Sequence, residues 1–335
     1  MPALIARPLR MLSTLIAMTM AVTVAYSVPA QAAGLIRDAE TEYLMRAFAD
    51  PIFRAAGLDP KAVKIHLIND SSLNAFVAGG QRMFLHTGLI QQSDRPNMLI
   101  GVIAHETGHM AGGHLSRTQQ ALKSASVPII VSTLLGIGAI VAGAGDAGFA
   151  LIAGGQTLAQ RDMLSYSRIQ EASTDQAAVT YLDQVGWSGR GMMDTFYLFR
   201  DQEVLSERQQ DPYLRSHPLS SQRLSALEER VLNSPFVDVP DPPEWVAAFD
   251  MIKAKLHGFI DRPAITFRRF PTSDTSVPAR YARAVAYHKM GDITRAMGEI
   301  EPLLAAMPNN PFIWELKGQV LFESERISCS LSPGR

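Results

Sequence analysis

The segment His105-Glu106-Thr107-Gly108-His109 constrains this 335-residue chain more than any other feature. Two histidines four residues apart on an α-helix share one face, about one turn apart. From there both imidazoles can reach a single zinc ion. A glutamate directly after the first histidine can reach a water held at that ion without ligating it. The pattern therefore asks for a helix, and for a metal site with a general base beside it. The flanking residues agree. Ile100, Val102, Ile103 and Ala104 predict a buried helix. Ser93 or Asp94 can cap its start, Pro96 fits its first turn, and Gly112-Gly113 can end it. The competing reading is a buried helix whose histidines merely satisfy hydrogen bonds, and it leaves Glu106 without a purpose.

A catalytic zinc commonly takes three protein ligands and keeps one position for water. Glu171 is the best candidate for the third. It lies in a stretch with no Pro or Gly between Gln156 and Val185, which predicts a second helix. Glu171 and Asp175 share a face of it. One can bind the metal while the other accepts the spare N–H of a ligand histidine and fixes its tautomer. Alone, such a pair is more often a solvated acidic face. The histidine motif upstream favours the ligand.

At this point the chain resembles a known group. His105-Glu106-Thr107-Gly108-His109 followed by Glu171-Ala172-Ser173-Thr174-Asp175 is similar to the gluzincin zinc peptidases of metallopeptidase family 48, the group of the HtpX, CAAX prenyl protease and BepA types. Asn74-Ala75-Phe76-Val77-Ala78-Gly79-Gly80 resembles that group's edge strand beside the cleft, which implies substrate binding at Asn74, Ala75 and Phe76. Ser216-His217-Pro218-Leu219 with Arg223 resembles its His-Pro segment. The resemblance implies one zinc ion, His105, His109 and Glu171 as ligands, and Glu106 as base. It makes His217 and Arg223 candidate donors to a transition-state oxyanion. It also implies a second role for His217, as a switch that blocks the open zinc position. The expected fold class is α+β and mainly helical, with a small antiparallel sheet whose edge strand lines the cleft. A short tetratricopeptide-like α-hairpin region follows.

The N-terminus reads as a processing signal: Arg7 and Arg10, then the apolar run Met11 to Tyr26, then Ala30-Gln31-Ala32. Residues 1–32 are thus an expected signal peptide, which with the resemblance implies the periplasm. Net charge is −1, from 31 basic and 32 acidic residues, so nothing suggests nucleic acid. The single cysteine, Cys329, excludes an internal disulfide.

Along the rest of the chain, Asp38 to Phe53 reads as a helix with Leu44, Phe48 and Ile52 spaced by four. Val63 to Ile68 alternates as a strand, and Ala75–Ala78 with Arg82–His86 reads as a hairpin across Gly79-Gly80. Such an edge can pair with an extended peptide by β-augmentation. Ser126 to Gly155 is almost wholly apolar. A transmembrane helix, a hairpin dipping into a membrane surface and a buried hairpin are the readings, and a hairpin near the site is favoured. The expected domains are a protease at 33–235 including the hairpin 126–155, a linker and helix at 236–276, partial repeats at 277–326, and a tail at 327–335 without helical pattern. Arg262 to Pro278 reads as irregular. Ala284, Tyr287, Gly291, Ala296 and Pro308 fall at tetratricopeptide offsets, and Trp314 lies 34 residues after Arg280. His66, His86 and His114 read as structural.

Three functions fit. The first is a zinc endopeptidase acting on unfolded or misassembled envelope proteins. The second is a chaperone or scaffold with a latent site, docking on outer-membrane assembly machinery through the repeats. The third is a membrane-integrated peptidase, which depends on 126–155. A pure scaffold has no need of Glu106.

Overall fold

A computed structural model describes residues 34–142, 144–200 and 212–330. The expected signal peptide at 1–32 and the last five residues of the expected tail lie outside the described residues. The chain is α+β and mainly helical. After β1 (Leu35–Ile36), Asp38 caps α1 (Ala39–Ala55), its Oδ2 accepting from the Thr41 amide at 2.9 Å. Glu40 and Glu42 sit in the first turn, where the helix dipole favours acids. Leu44, Phe48 and Ile52 bury one stripe, as their spacing predicts.

The strands β2 (Lys64–Ile68), β3 (Ala75–Ala78) and β4 (Arg82–His86) complete a four-stranded sheet in the order β1-β2-β4-β3. The expected all-antiparallel sheet is corrected to a mixed one, because β2 and β4 run parallel. The hairpin at Gly79-Gly80, whose φ values of 56° and 92° lie in the left-handed region that glycine favours, makes β3 and β4 antiparallel, and β4 rather than β3 pairs with β2. It folds β4 back between β2 and β3, so β3 itself becomes the return path. That leaves β3 at the edge, hydrogen-bonded on one side only.

A short helix α2 (Thr87–Gln92) leads to α3 (Pro96–Ala111), which carries the histidine pair and is buried on every side from Pro96 to His109. Arg95, not Ser93 or Asp94, occupies its N-cap position, with no side-chain cap. Ser93 is engaged elsewhere: it ends α2, and its hydroxyl donates to the Leu89 carbonyl at 2.8 Å. Next come two long helices, α4 (His114–Val141) and α5 (Gly145–Gln184), which form the expected hairpin. The far half of α5 buries Ala178, Val179 and Leu182 in the same core as Phe48, Leu85 and Ile103. Helices α6 (Arg190–Arg200), α7 (Pro212–Ser216) and α8 (Ser221–Leu232) close that core, with Phe196 and Leu227 inside it.

Helix α9 (Pro243–Ile260) follows the proline-rich linker. The segment read as irregular holds a helix, α10 (Pro263–Arg269), started by Pro263 at its first position. Then α11 (Val277–Lys289), α12 (Ile293–Ala306) and α13 (Pro311–Ser330) bury a second apolar cluster that includes Tyr281, Ala284, Ala296, Ile300 and Ile313. Helix α13 continues to Ser330, past residue 327, where no helical pattern was expected. These helices lean on the rest of the chain. The Tyr281 hydroxyl donates to Glu40 Oε2 at 2.7 Å, and Lys255 of α9 reaches the same carboxylate at 3.1 Å.

Candidate metal centre

Helix α3 places His105 and His109 one turn apart, with their Nε2 atoms 3.0 Å from each other. Helix α5 crosses beneath and delivers Glu171, whose Oε1 lies 3.2 Å from His109 Nε2 and Oε2 3.4 Å from His105 Nε2. The two helices approach this closely because residue 108 is glycine. A Cβ there would fall 2.9 Å from Thr174 Cγ2 and 3.2 Å from the Thr174 carbonyl oxygen. Gly108→Ala is expected to push α5 away, costing about 1–3 kcal/mol as overpacked cores do. It should also loosen metal binding. Denaturant midpoints and zinc competition titrations on the same variant check both.

His217, on the turn after α7, completes the cluster. Its Nδ1 lies 3.2 Å from Glu171 Oε1 and 3.4 Å from His105 Nε2. All four ligand atoms sit within 4.8 Å of one another, and all four residues are buried. A tetrahedral zinc with bonds of about 2.0–2.1 Å has ligand–ligand edges of about 3.3 Å. The donor set, three imidazoles and one carboxylate, therefore fits the ion in both chemistry and spacing. Zinc bound there would supply Lewis acidity.

Outside the four donors, Asp175 accepts from His105 Nδ1 at 3.0 Å, so that with a metal bound His105 Nε2 would be the coordinating lone pair. Arg223 grips Asp175 through Nε at 2.5 Å and Nη2 at 2.9 Å. Its Nη1 donates to the Pro218 carbonyl at 3.0 Å and lies 3.1 Å from Glu171 Oε2. The guanidinium is thus buried and bound to two carboxylates and the His-Pro turn. Arg223, expected as a donor to an oxyanion, has its Nε, Nη1 and Nη2 engaged by these partners and is not among the residues that line the cleft.

The electrostatics follow from burial among charges. Burial disfavours a charged His105, yet its bonds to Asp175 and Glu171 prevail and raise its pKa to about 9. Burial likewise works against an ionised Glu171, but bonds from the three imidazoles hold it well below the usual carboxylate range. Glu106 has no such help. Burial lifts its pKa to about 7, and neither carboxylate oxygen has a hydrogen-bond partner. A buried, unpartnered carboxyl with a pKa near neutrality is suited to proton transfer.

Reading the sequence missed two neighbours. His114, which its spacing alone leaves off the ligand face, lies with Nδ1 3.0 Å from His109 Nδ1 and 3.2 Å from Thr174 Oγ1. One of the two facing nitrogens carries the proton, and with His109 as donor its Nε2 is free for the cluster. Tyr213 packs its ring 4.7 Å from that of His217, and its hydroxyl is buried without a partner. The sequence signal for it is its position four residues before His217.

The cluster opens on a cleft of about 420 Å³ walled by Phe76 and Val77 of β3, Thr118 of α4 and Tyr166 of α5, with Glu106 and His217 at its floor. Of the expected substrate-binding residues, Phe76 lines the cleft. Ala75 is buried in the core and Asn74 precedes the strand, its carbonyl taken by the His86 amide at 3.0 Å. Neither side chain is part of the cleft wall.

A buried three-imidazole, one-carboxylate cluster beside an unpartnered glutamate, under an open sheet edge, defines a metallopeptidase-type centre. The chain belongs to peptidase family M48, whose sequence model matches residues 38–231. It is 26% identical over 261 residues to the beta-barrel assembly-enhancing protease of Escherichia coli (strain K12), covering 75% of this chain and 52% of that protein. The putative beta-barrel assembly-enhancing protease of Vibrio cholerae is 25% identical over 254 residues, covering 73% and 51%. Metalloprotease LoiP of Escherichia coli (strain K12) is 26% identical over 205 residues, covering 58% and 73%. The chain thus spans about half the length of the first two relatives.

Proposed function

We propose that this chain is a zinc-dependent endopeptidase that hydrolyses peptide bonds of unfolded or misassembled cell-envelope proteins in the periplasm. The observation that carries the reading is the four-donor cluster set against the unpartnered Glu106 carboxylate. In this reading His105, His109 and Glu171 hold the ion. Glu106 takes a proton from the attacking water at its carboxylate and later passes it to the leaving amine. Asp175 fixes the His105 tautomer, and Arg223 positions Asp175 and the His-Pro turn. An extended segment of substrate adds to the free side of β3, where backbone pairing binds with little regard for side chains. That suits unfolded substrates, and the names of the relatives support an envelope setting. Residues 277–326 are the part of the chain we assign to contact with outer-membrane assembly machinery.

A second reading concerns regulation. His217 Nδ1 takes the fourth position of the cluster, which favours a latent site that opens when this ring leaves.

The test is elemental analysis together with casein cleavage. Zinc should co-purify, a chelator should abolish cleavage and lower Tm, and restored zinc should recover both. A chain that binds no divalent metal under any condition would sink the proposal.

A further inference from the structure

The hairpin of α4 and α5 is built the opposite way round from a soluble one. Among the described residues between 124 and 160 the buried positions are Gly136, Gly148, Gly155 and Ala159, all small. Most of the large apolar side chains of the same segment face outward: Leu134 is 66% exposed, Val141 83% and Phe149 66%, while Ile140 and Ile152 are half-buried against Gly148 and Gly136. The glycines let the two backbones touch. A Cβ on Gly136 would lie 2.6 Å from the Gly148 carbonyl oxygen, and one on Gly155 would lie 1.8 Å from Ser132 Oγ. In water, apolar burial would put the large residues between the helices. Small residues at the helix contact with large apolar groups outside is the arrangement of helices surrounded by lipid.

Two further features agree. The hydroxyls of Ser132 and Thr157 donate to the carbonyls of Ile129 and Ala153, at 3.0 and 2.8 Å, and so need no water. Charge is confined to the ends: between Lys123 and Arg161 the only ionisable side chain is Asp146, beside the tip. At the base, Arg117, Lys123, Arg161 and Arg168 are all exposed, with Asp162 the one acid among them. Such a basic collar suits anionic headgroups. Helix α4 is also the one helix among the described residues long and apolar enough to cross a membrane.

We propose that this hairpin inserts into a phospholipid bilayer as a two-helix wedge, entering and leaving through the same face, with Lys123 and Arg161 at the headgroups. From Ser124 to Val141, α4 rises about 27 Å, against a hydrocarbon core of about 30 Å. Asp146 is thereby carried past the midplane, where a charge is most costly, toward the far headgroups. The same helices wall the cleft at their other end. Thr118 lies only about 8 Å along the helix from Lys123. The cleft therefore opens beside the lipid surface, and on the endopeptidase reading the chain cuts proteins there rather than in free solution.

The test uses the full zinc-loaded chain with vesicles of phosphatidylethanolamine and phosphatidylglycerol. An environment-sensitive dye is placed at Leu134→Cys or Leu151→Cys in a Cys329→Ser background. The dye should shift to the blue and be quenched by nitroxides on the acyl chains. Changing Leu134 and Leu135 together to Asp should raise the lipid needed for half-maximal quenching at Leu151→Cys by at least about tenfold. Zinc content should not change. A dye that stays water-exposed with vesicles present overturns the proposal. So does one shielded equally without lipid in a defined oligomer, since the hairpin then meets a second copy. The readout is lipid contact, so loss of cleavage does not affect it, and failed quenching leaves the peptidase reading standing.

Discussion

Glu106→Gln should lower casein cleavage by about 10²- to 10⁴-fold, the usual worth of a general base, with zinc content and Tm unchanged. The isosteric amide fills the same space but cannot accept a proton. No structural hydrogen bond is lost, because neither Glu106 oxygen has a hydrogen-bond partner, His217 Nε2 being 3.4 Å from Oε1. That separates Glu106 from its neighbours. Glu171→Ala removes a buried acceptor that lies against all three imidazoles, so it should lose metal and stability together. The comparison must be made in the most active background available, including His217→Ala, so that a latent wild type does not hide the effect. Cleavage that survives Glu106→Gln at the wild-type rate would remove Glu106 from the chemistry.

The parts of the site legible in the sequence are those set by local periodicity. Four-residue spacing on an unbroken helix put His105 with His109, and Glu171 with Asp175, without any knowledge of the fold. Local arguments fail where the phase of the helix changes. His114 stands five residues after His109 and would face away if α3 continued. Gly113, at φ 62°, instead breaks the helix and starts α4, swinging His114 back against His109. The Gly-Gly pair was readable as a stop, but not as a reversal. The mixed sheet escaped for a similar reason: a hairpin is a local signal, whereas which of its strands joins β2 is settled by long-range packing. Arg223 was correctly placed beside the site. Its partners were not legible, because only the fold brings Asp175, Glu171 and the Pro218 carbonyl to its guanidinium.

His217→Ala should raise cleavage, by about 10- to 100-fold if the open state of the wild type is a minor population of about 1–10%. A catalytic zinc site keeps one position free of protein. Here four protein atoms form the cluster, and the fourth is His217 Nδ1. The same ring covers the base, with Nε2 3.4 Å from Glu106 Oε1. Arg223 holds the turn in place through the carbonyls of His217 and Pro218, at 3.3 and 3.0 Å. Removing the imidazole would leave three ligands, an uncovered base and room for a substrate carbonyl. It should also weaken zinc retention, since one donor is gone. The opposite sign is the prediction of the other role read for His217, as donor to the oxyanion, where its loss should cost about 10²- to 10³-fold. Cleavage rates of zinc-replete His217→Ala against wild type therefore decide between a ring that closes the site and one that works in it.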